Sequence, residues 1–145
     1  MPSTMQSKTI NAPIGAVWEK LNDFHDLSWA IKILPSCEKI GDMSGTQVGA
    51  KRILNGAFHE TLTEVDPANH LLKYSIDDGP SPVSKEEVSN YIGIINLSTS
   101  VDGGTLVEWS SSWDANSEEA VEFCHGIYVA LLNELAEVFN YDAVH

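Results

Sequence analysis

The stretch from Asn116 to Asn140 is the only long segment with a clear helical period. Asn116 is placed to cap a helix, and Glu119 follows three residues on, the spacing of a capping box. Glu118, Glu119 and Glu122 put negative charge in the first two turns, where the helix dipole favours it. At about 100° per residue, Ala120, Cys124, Ile127, Leu131, Leu135 and Val138 share one stripe. Phe123 and Ala130 widen it on one side; Val121, Tyr128, Leu132 and Phe139 widen it on the other. The apolar arc spans roughly 200°, against the ~100° that an ordinary surface helix needs. Such a helix packs on more than one side, or it packs a sheet and also lines a cavity. Glu134 falls inside this arc and has two readings. Either it reaches solvent, or it is a carboxylate at a cavity edge whose pKa desolvation would raise.

What precedes this helix is rich in strand signals. Met5–Ile10 reads as a first strand, ended by Asn11-Ala12-Pro13. Pro13 suits the first turn of a helix carrying Val17, Trp18 and Leu21 inward. A second short helix or turn carries Leu27, Trp29 and Ile33 and stops at Pro35. Strands are then expected over Ser36–Met43, Val48–Leu54, Phe58–Val65, Leu71–Ile76, Val88–Val101 and Thr105–Trp113. The Asp77–Lys85 stretch holds Gly79-Pro80-Ser81-Pro82 and is expected to be a loop, with a lid over a cavity as its functional reading. Helices at the two ends of an antiparallel meander give an α+β fold of about seven strands, with the helices on one face.

Composition narrows the function classes. No apolar run reaches the ~18 residues of a membrane span, and the polar Met1–Thr9 is no signal peptide, so a cytoplasmic protein of one domain over 1–145 is expected. A formal charge of −13 disfavours nucleic acid and anionic membranes as partners. Cys37 and Cys124 read as reduced, buried thiols. His25, His59, His70, His125 and His145 show no zinc spacing, and no phosphate or dinucleotide fingerprint is present, so neither metal nor cofactor is expected.

Residues spread along the whole chain resemble a known superfamily. These are Ile10-Asn11-Ala12-Pro13 with Val17-Trp18, Asp23-Phe24 with Trp29, Val48-Gly49 with Arg52, Glu60 with Leu62, Asp66 with Tyr74 and Ile76, and Val107 with Trp109 ahead of the long helix. Together they resemble the START-like (SRPBCC) helix-grip superfamily, in its polyketide cyclase/dehydrase-like branch. That resemblance implies a curved antiparallel sheet wrapped around the long C-terminal helix. It also implies a deep apolar cavity for a hydrophobic small molecule. It does not imply one reaction, since members include lipid and hormone binders, aromatase/cyclases and chaperone activators.

Arg52 and Glu60 are the leading polar candidates, and their placement turns on a hairpin register. A two-residue turn at Asn55-Gly56 pairs Lys51 with Glu60, and local turn chemistry favours it. A three-residue loop pairs Arg52 with Glu60, which the resemblance favours. A slip of one residue exchanges the faces. Tyr74 and Ile76 alternate with Lys73 and Ser75 and are expected to face inward. Tyr91 shares a face with Gly93, Ile95 and Leu97, but the opposite face is apolar too, so the pattern leaves the inward face open. Trp109 shares a face with Val107, Ser111 and Trp113. With Phe123, Ile127 and Leu131 of the helix, these complete the expected ligand-binding set: Arg52, Glu60, Tyr74, Ile76, Tyr91, Trp109, Phe123, Ile127 and Leu131. No catalytic constellation is visible. Binding of a hydrophobic ligand in a cavity of about 300–1,000 Å³ is the first functional expectation. A cyclase or dehydratase of polyketide-like substrates is the second, and a chaperone-activator-like module with a protein partner is the third.

Overall fold

The computed structural model describes residues 2–115 and 118–144, with side chains as far as Phe139. Strand β1 (Ser3–Ile10) is followed by helix α1 (Ile14–Leu21) and a single 3₁₀ turn at Ser28–Ala30. Then come β2 (Cys37–Ile40), β3 (Lys51–Leu54), β4 (Phe58–Asp66), β5 (Leu71–Asp78), β6 (Val88–Thr99) and β7 (Thr105–Ala115). The long helix α2 runs from Glu119 to Val144. The expected cap, Asn116, lies outside the described residues. The expected second short helix shrinks to one 3₁₀ turn, and the expected strands at Ser36–Met43 and Val48–Leu54 shorten to four residues each. Gly41, Gly45 and Gly49 punctuate that region, and two of them, Gly41 and Gly49, take positive φ.

The seven strands form one antiparallel sheet in the order β1-β7-β6-β5-β4-β3-β2. Every strand except β1 pairs with a sequence neighbour, and β1 closes against β7 with Ser3 opposite Ser112 and Ile10 opposite Thr105. Helix α2 packs over β1 and against the 3₁₀ turn, which makes this an α+β helix-grip fold. Its buried side is formed by Ala120, Cys124, Tyr128, Leu131, Leu132, Leu135, Ala136 and Phe139. The buried arc is thus displaced from the expected stripe toward Tyr128 and Leu132, while Ile127 and Val138 are half-buried.

Sheet patterning decides which side chains reach the interior. In β6, Tyr91, Gly93, Ile95 and Leu97 are buried while Ile92 is exposed, which settles the inward face that hydropathy left open. In β7, Val107, Trp109, Ser111 and Trp113 are all buried. Of the three irregularities in the ladders of the described residues, one lies between Leu62 and Glu64 and the other two fall beside interior polar residues. The β4–β5 ladder shifts register between His59 and Glu60, and the β6–β7 ladder shifts between Ser89 and Ile92, around Asn90 (φ 55°) and Tyr91. Bulges bend a strand and re-aim its side chains.

The β3–β4 hairpin takes the longer loop. Asn55 and Gly56 adopt φ of 53° and 67°, as a primed turn requires, and the Ala57 N–H donates to the Leu54 carbonyl at 3.0 Å. Ala57 is then an extra residue on the β4 side, so Leu54 pairs with Phe58 and Arg52 with Glu60. The two-residue register favoured by local turn chemistry is corrected here. The Asn-Gly turn forms, but the bulge behind it sets the faces.

Candidate functional site

A cavity of about 40 Å³ lies between the inner face of β3–β7, the segment around the 3₁₀ turn, and α2. Leu27, Trp29 and Leu34 wall it on one side, Leu54 and Phe58 at the hairpin, and Cys124, Ile127, Tyr128 and Leu131 along the helix. Arg52, Glu60, Tyr74, Ile76, Tyr91 and Trp109 complete the lining from the sheet. The space matches a few water molecules, well short of the ~300 Å³ at which ligand pockets begin. The large cavity expected from the sequence is therefore corrected to a small one. The reason is visible in the lining, where six aromatic side chains fill the interior.

Two polar groupings face this space. The first is the Arg52–Glu60 pair, with the two residues 6% and 5% exposed. Nε and Nη2 of Arg52 both donate to Oε1 of Glu60, at 2.8 and 2.6 Å. Nη1 donates to the Phe24 carbonyl at 2.9 Å, and the guanidinium carbon sits 3.7 Å above the centre of the Phe24 ring. This is not the parallel fork of an ideal arginine–carboxylate pair. Both donors converge on one oxygen, and among the described residues no donor reaches Oε2. Burial pushes the Glu60 carboxyl above its ordinary pKa, against the opposing charge and hydrogen bonds of Arg52.

The second grouping is a line of hydroxyls. Trp109 Nε1 donates to the Tyr74 hydroxyl at 3.0 Å. The Tyr74 and Tyr128 hydroxyls are 2.7 Å apart, Tyr128 is in turn hydrogen-bonded to Tyr91, and Tyr91 donates to Cys124 Sγ at 3.3 Å. An indole can only donate. With Tyr74 donating to Tyr128, Tyr128 to Tyr91 and Tyr91 to the sulfur, each hydroxyl has one acceptor. The rings are clamped as well: Trp109 stacks on Tyr128 at 4.9 Å and Trp113 on Tyr91 at 5.1 Å. Burial pushes the phenols of Tyr74, Tyr91 and Tyr128 and the Cys124 thiol well toward their protonated forms. None is poised as a base or nucleophile at neutral pH.

Gly93 makes room for this line. It is the cross-strand partner of Tyr74, and a Cβ at Gly93 would lie 2.2 Å from Tyr74 Cζ. The ring of Tyr74 covers the glycine, and its hydroxyl reaches Tyr128 from there.

Eight of the nine sequence candidates line the cavity together: Arg52, Glu60, Tyr74, Ile76, Tyr91, Trp109, Ile127 and Leu131. Phe123 does not; it is half-buried and stacks on Phe58 at 6.3 Å, one layer behind the wall. Glu134 is half-buried and is not part of the lining. No residue of the Asp77–Lys85 stretch lines the cavity either, although Val83 is buried beside Gly79. Sequence reasoning passed over Trp29, Phe58 and Tyr128 as site residues. The spacing Cys124, Ile127, Tyr128, Leu131 was the available signal for Tyr128: a phenol inside a helical stripe whose other members are apolar. Trp29 carries a further feature, because its buried Nε1–H has no hydrogen-bond partner among the described residues.

The family model for polyketide cyclase / dehydrase and lipid transport matches residues 1–140. The chain belongs to this family. A solved protein of Nitrosospira multiformis is 41% identical, with 99% of this chain and 100% of that one covered and a TM-score of 0.95. The XoxI protein of Bacillus cereus is 26% identical at a TM-score of 0.82, covering 100% of this chain and 99% of that one. A Thermobifida fusca protein, at 24% identity and a TM-score of 0.83, covers 97% of this chain and 95% of that one and shares the fold. No curated protein matches the chain. Among the described residues, no helix of this polyketide cyclase/dehydrase family member is long and apolar enough to cross a membrane, and no cluster of metal-ligating side chains is found.

Proposed function

We propose that the protein binds a hydrophobic small molecule between the sheet and α2, with the polar end of the ligand at Arg52 and Glu60. The observation that carries this reading is a buried ion pair, set in a largely apolar and aromatic wall, whose carboxylate keeps one oxygen uncommitted. A buried ion pair is a poor source of stability compared with apolar side chains of the same volume. Its presence in the lining is better explained by recognition. The family description, which names polyketide cyclases, dehydrases and lipid transport, supports a lipid-like, aromatic or polyketide-like ligand.

Entry requires the wall to move. The 27–34 segment is the candidate, because its backbone–backbone hydrogen bonds are local turns (Ala30 to Leu27, Ile33 and Leu34 to Ala30), a single Asn55 Nδ2 donates to its Ile33 carbonyl from the hairpin, and no strand ladder holds it. Outward displacement of Leu27, Trp29 and Leu34 enlarges the space without breaking the sheet. One observation favours a second reading, a cyclase or dehydratase. Glu60 is the one carboxyl of the lining, and burial raises its pKa in the direction that general acid–base work requires. Binding ranks first because no second titratable group of the lining is poised to assist.

The test is fluorescence titration with N-phenyl-1-naphthylamine, alongside an Ile127→Trp variant that fills the cavity from the helix. The expected result is a saturable increase in emission for the wild type and at least ~10-fold weaker binding for a variant with unchanged circular dichroism. Equal binding by both proteins would place the probe elsewhere and refute the reading.

A further inference from the structure

We propose that the ligand is an uncharged hydroxylated aromatic (a phenol or enol) and not a fatty acid, phospholipid or other anion; this rests on the binding reading above. The inference comes from what the site leaves unpaired. The tyrosine line is saturated, since each hydroxyl already has its acceptor in the next group. The only donor it leaves free is the weak S–H of Cys124 at its end. Three stronger polar positions remain. Glu60 Oε2 is an acceptor without a donor, and Trp29 Nε1–H is a buried donor without an acceptor. Arg52 uses three of its five N–H groups, on Glu60 and the Phe24 carbonyl.

These positions specify the charge and chemistry of the occupant. The ion pair is already neutral, so an anion gains no net countercharge from it and is brought close to a buried carboxylate oxygen. Glu60 Oε2 calls for an O–H or N–H donor. Trp29 and the remaining guanidinium N–H groups call for an acceptor. A hydroxyl group supplies both roles. A carboxylate or phosphate supplies only acceptors and leaves Oε2 unsatisfied, and an ether or a bare hydrocarbon fails in the same way. Aromatic character follows from the wall, where Trp29, Phe58, Tyr74, Tyr91, Trp109 and Tyr128 present ring surfaces for stacking.

The test is a titration of three compounds of matched shape, 2-naphthol, 2-naphthoate and 2-methoxynaphthalene, into the full chain at neutral pH. It is followed by NMR of the indole N–H signals. The expected result is that 2-naphthol binds at least ~10-fold more tightly than either relative and moves the Trp29 indole proton downfield as that donor gains an acceptor. A Glu60→Gln variant presents an amide N–H₂ where Oε2 stood, so it narrows or inverts the preference of naphthol over naphthoate. A Trp29→Phe variant leaves the ion pair alone and weakens naphthol severalfold, which keeps the test open if Glu60→Gln does not fold. Naphthoate or the methyl ether binding as tightly as naphthol would overturn this inference while leaving the binding reading intact. So would a Glu60→Gln variant with an unchanged preference. Failure of all three compounds to move any cavity resonance would remove the binding reading, and this inference with it.

Discussion

Replacing Arg52 with methionine keeps much of the side-chain volume and removes the charge. The structure fixes what is lost: two hydrogen bonds to Glu60 Oε1, one to the Phe24 carbonyl, and the contact with the Phe24 ring. Glu60 is left buried with no countercharge, a class of change that costs about 3–5 kcal/mol. That cost has a ceiling, because the carboxyl can escape it by taking a proton. From a reference pKa of ~4.3, holding it protonated at pH ~7 costs about 3.7 kcal/mol, and at pH ~5 only about 1 kcal/mol. The orphaned Phe24 carbonyl adds about 1 kcal/mol at either pH. The sign follows from linkage. In the wild type Glu60 already has a folded pKa above its unfolded value, and Arg52→Met raises it further. The stability tied to this group is fully present below the unfolded pKa and is lost as pH rises through the folded one. Measured from a wild type whose own Glu60 pKa is already raised, the loss is expected to reach at most about 4–5 kcal/mol at pH ~7 and at most about 2 kcal/mol at pH ~5. Urea unfolding followed by tryptophan fluorescence at both pH values measures this directly. The double variant Arg52→Met with Glu60→Leu removes the buried charge altogether and returns to within about 1–2 kcal/mol of wild type. Equal losses at the two pH values, or a double variant as unstable as the single one, would refute the reasoning.

Tyr128→Phe removes the central hydroxyl of the line and leaves Tyr74 without its acceptor; a loss of about 1–3 kcal/mol in urea unfolding is expected. Alkaline absorbance titration of the wild type is expected to show Tyr74, Tyr91 and Tyr128 ionising only together with unfolding, because burial holds their phenols protonated. Gly93→Ala places a methyl group against the Tyr74 ring, so a cost of about 1–3 kcal/mol and a lowered thermal midpoint are expected.

Much of the architecture was legible in the sequence because it rests on periodicity. The long C-terminal helix and the inward faces of β5 and β7 follow from residues such as Tyr74, Val107, Trp109 and Leu131, whereas the closure of β1 against β7 does not. Where both faces of a strand were apolar, as in β6, only the packed structure chose Tyr91 over Ile92. The placement of Arg52 and Glu60 was the least legible feature. It depends on one extra residue, Ala57, behind a turn whose own chemistry is ordinary. The small cavity was also hidden. Composition counts aromatic residues, but it does not show that Trp29, Phe58 and Tyr128 point at one another's space. The Tyr74–Tyr128–Tyr91 line could not be read for a related reason, since it joins β5, β6 and α2 across 54 and 37 residues of chain.

The most direct test of the central claim is native mass spectrometry of the protein purified from its own cells, beside Ile127→Trp purified in the same way. The account predicts a wild-type species heavier than the bare 15.9 kDa chain by one small molecule. That mass should be released on activation, recoverable by denaturing extraction, and absent from the variant. A bare chain from both proteins, with the fluorescent probe also unbound, would contradict it.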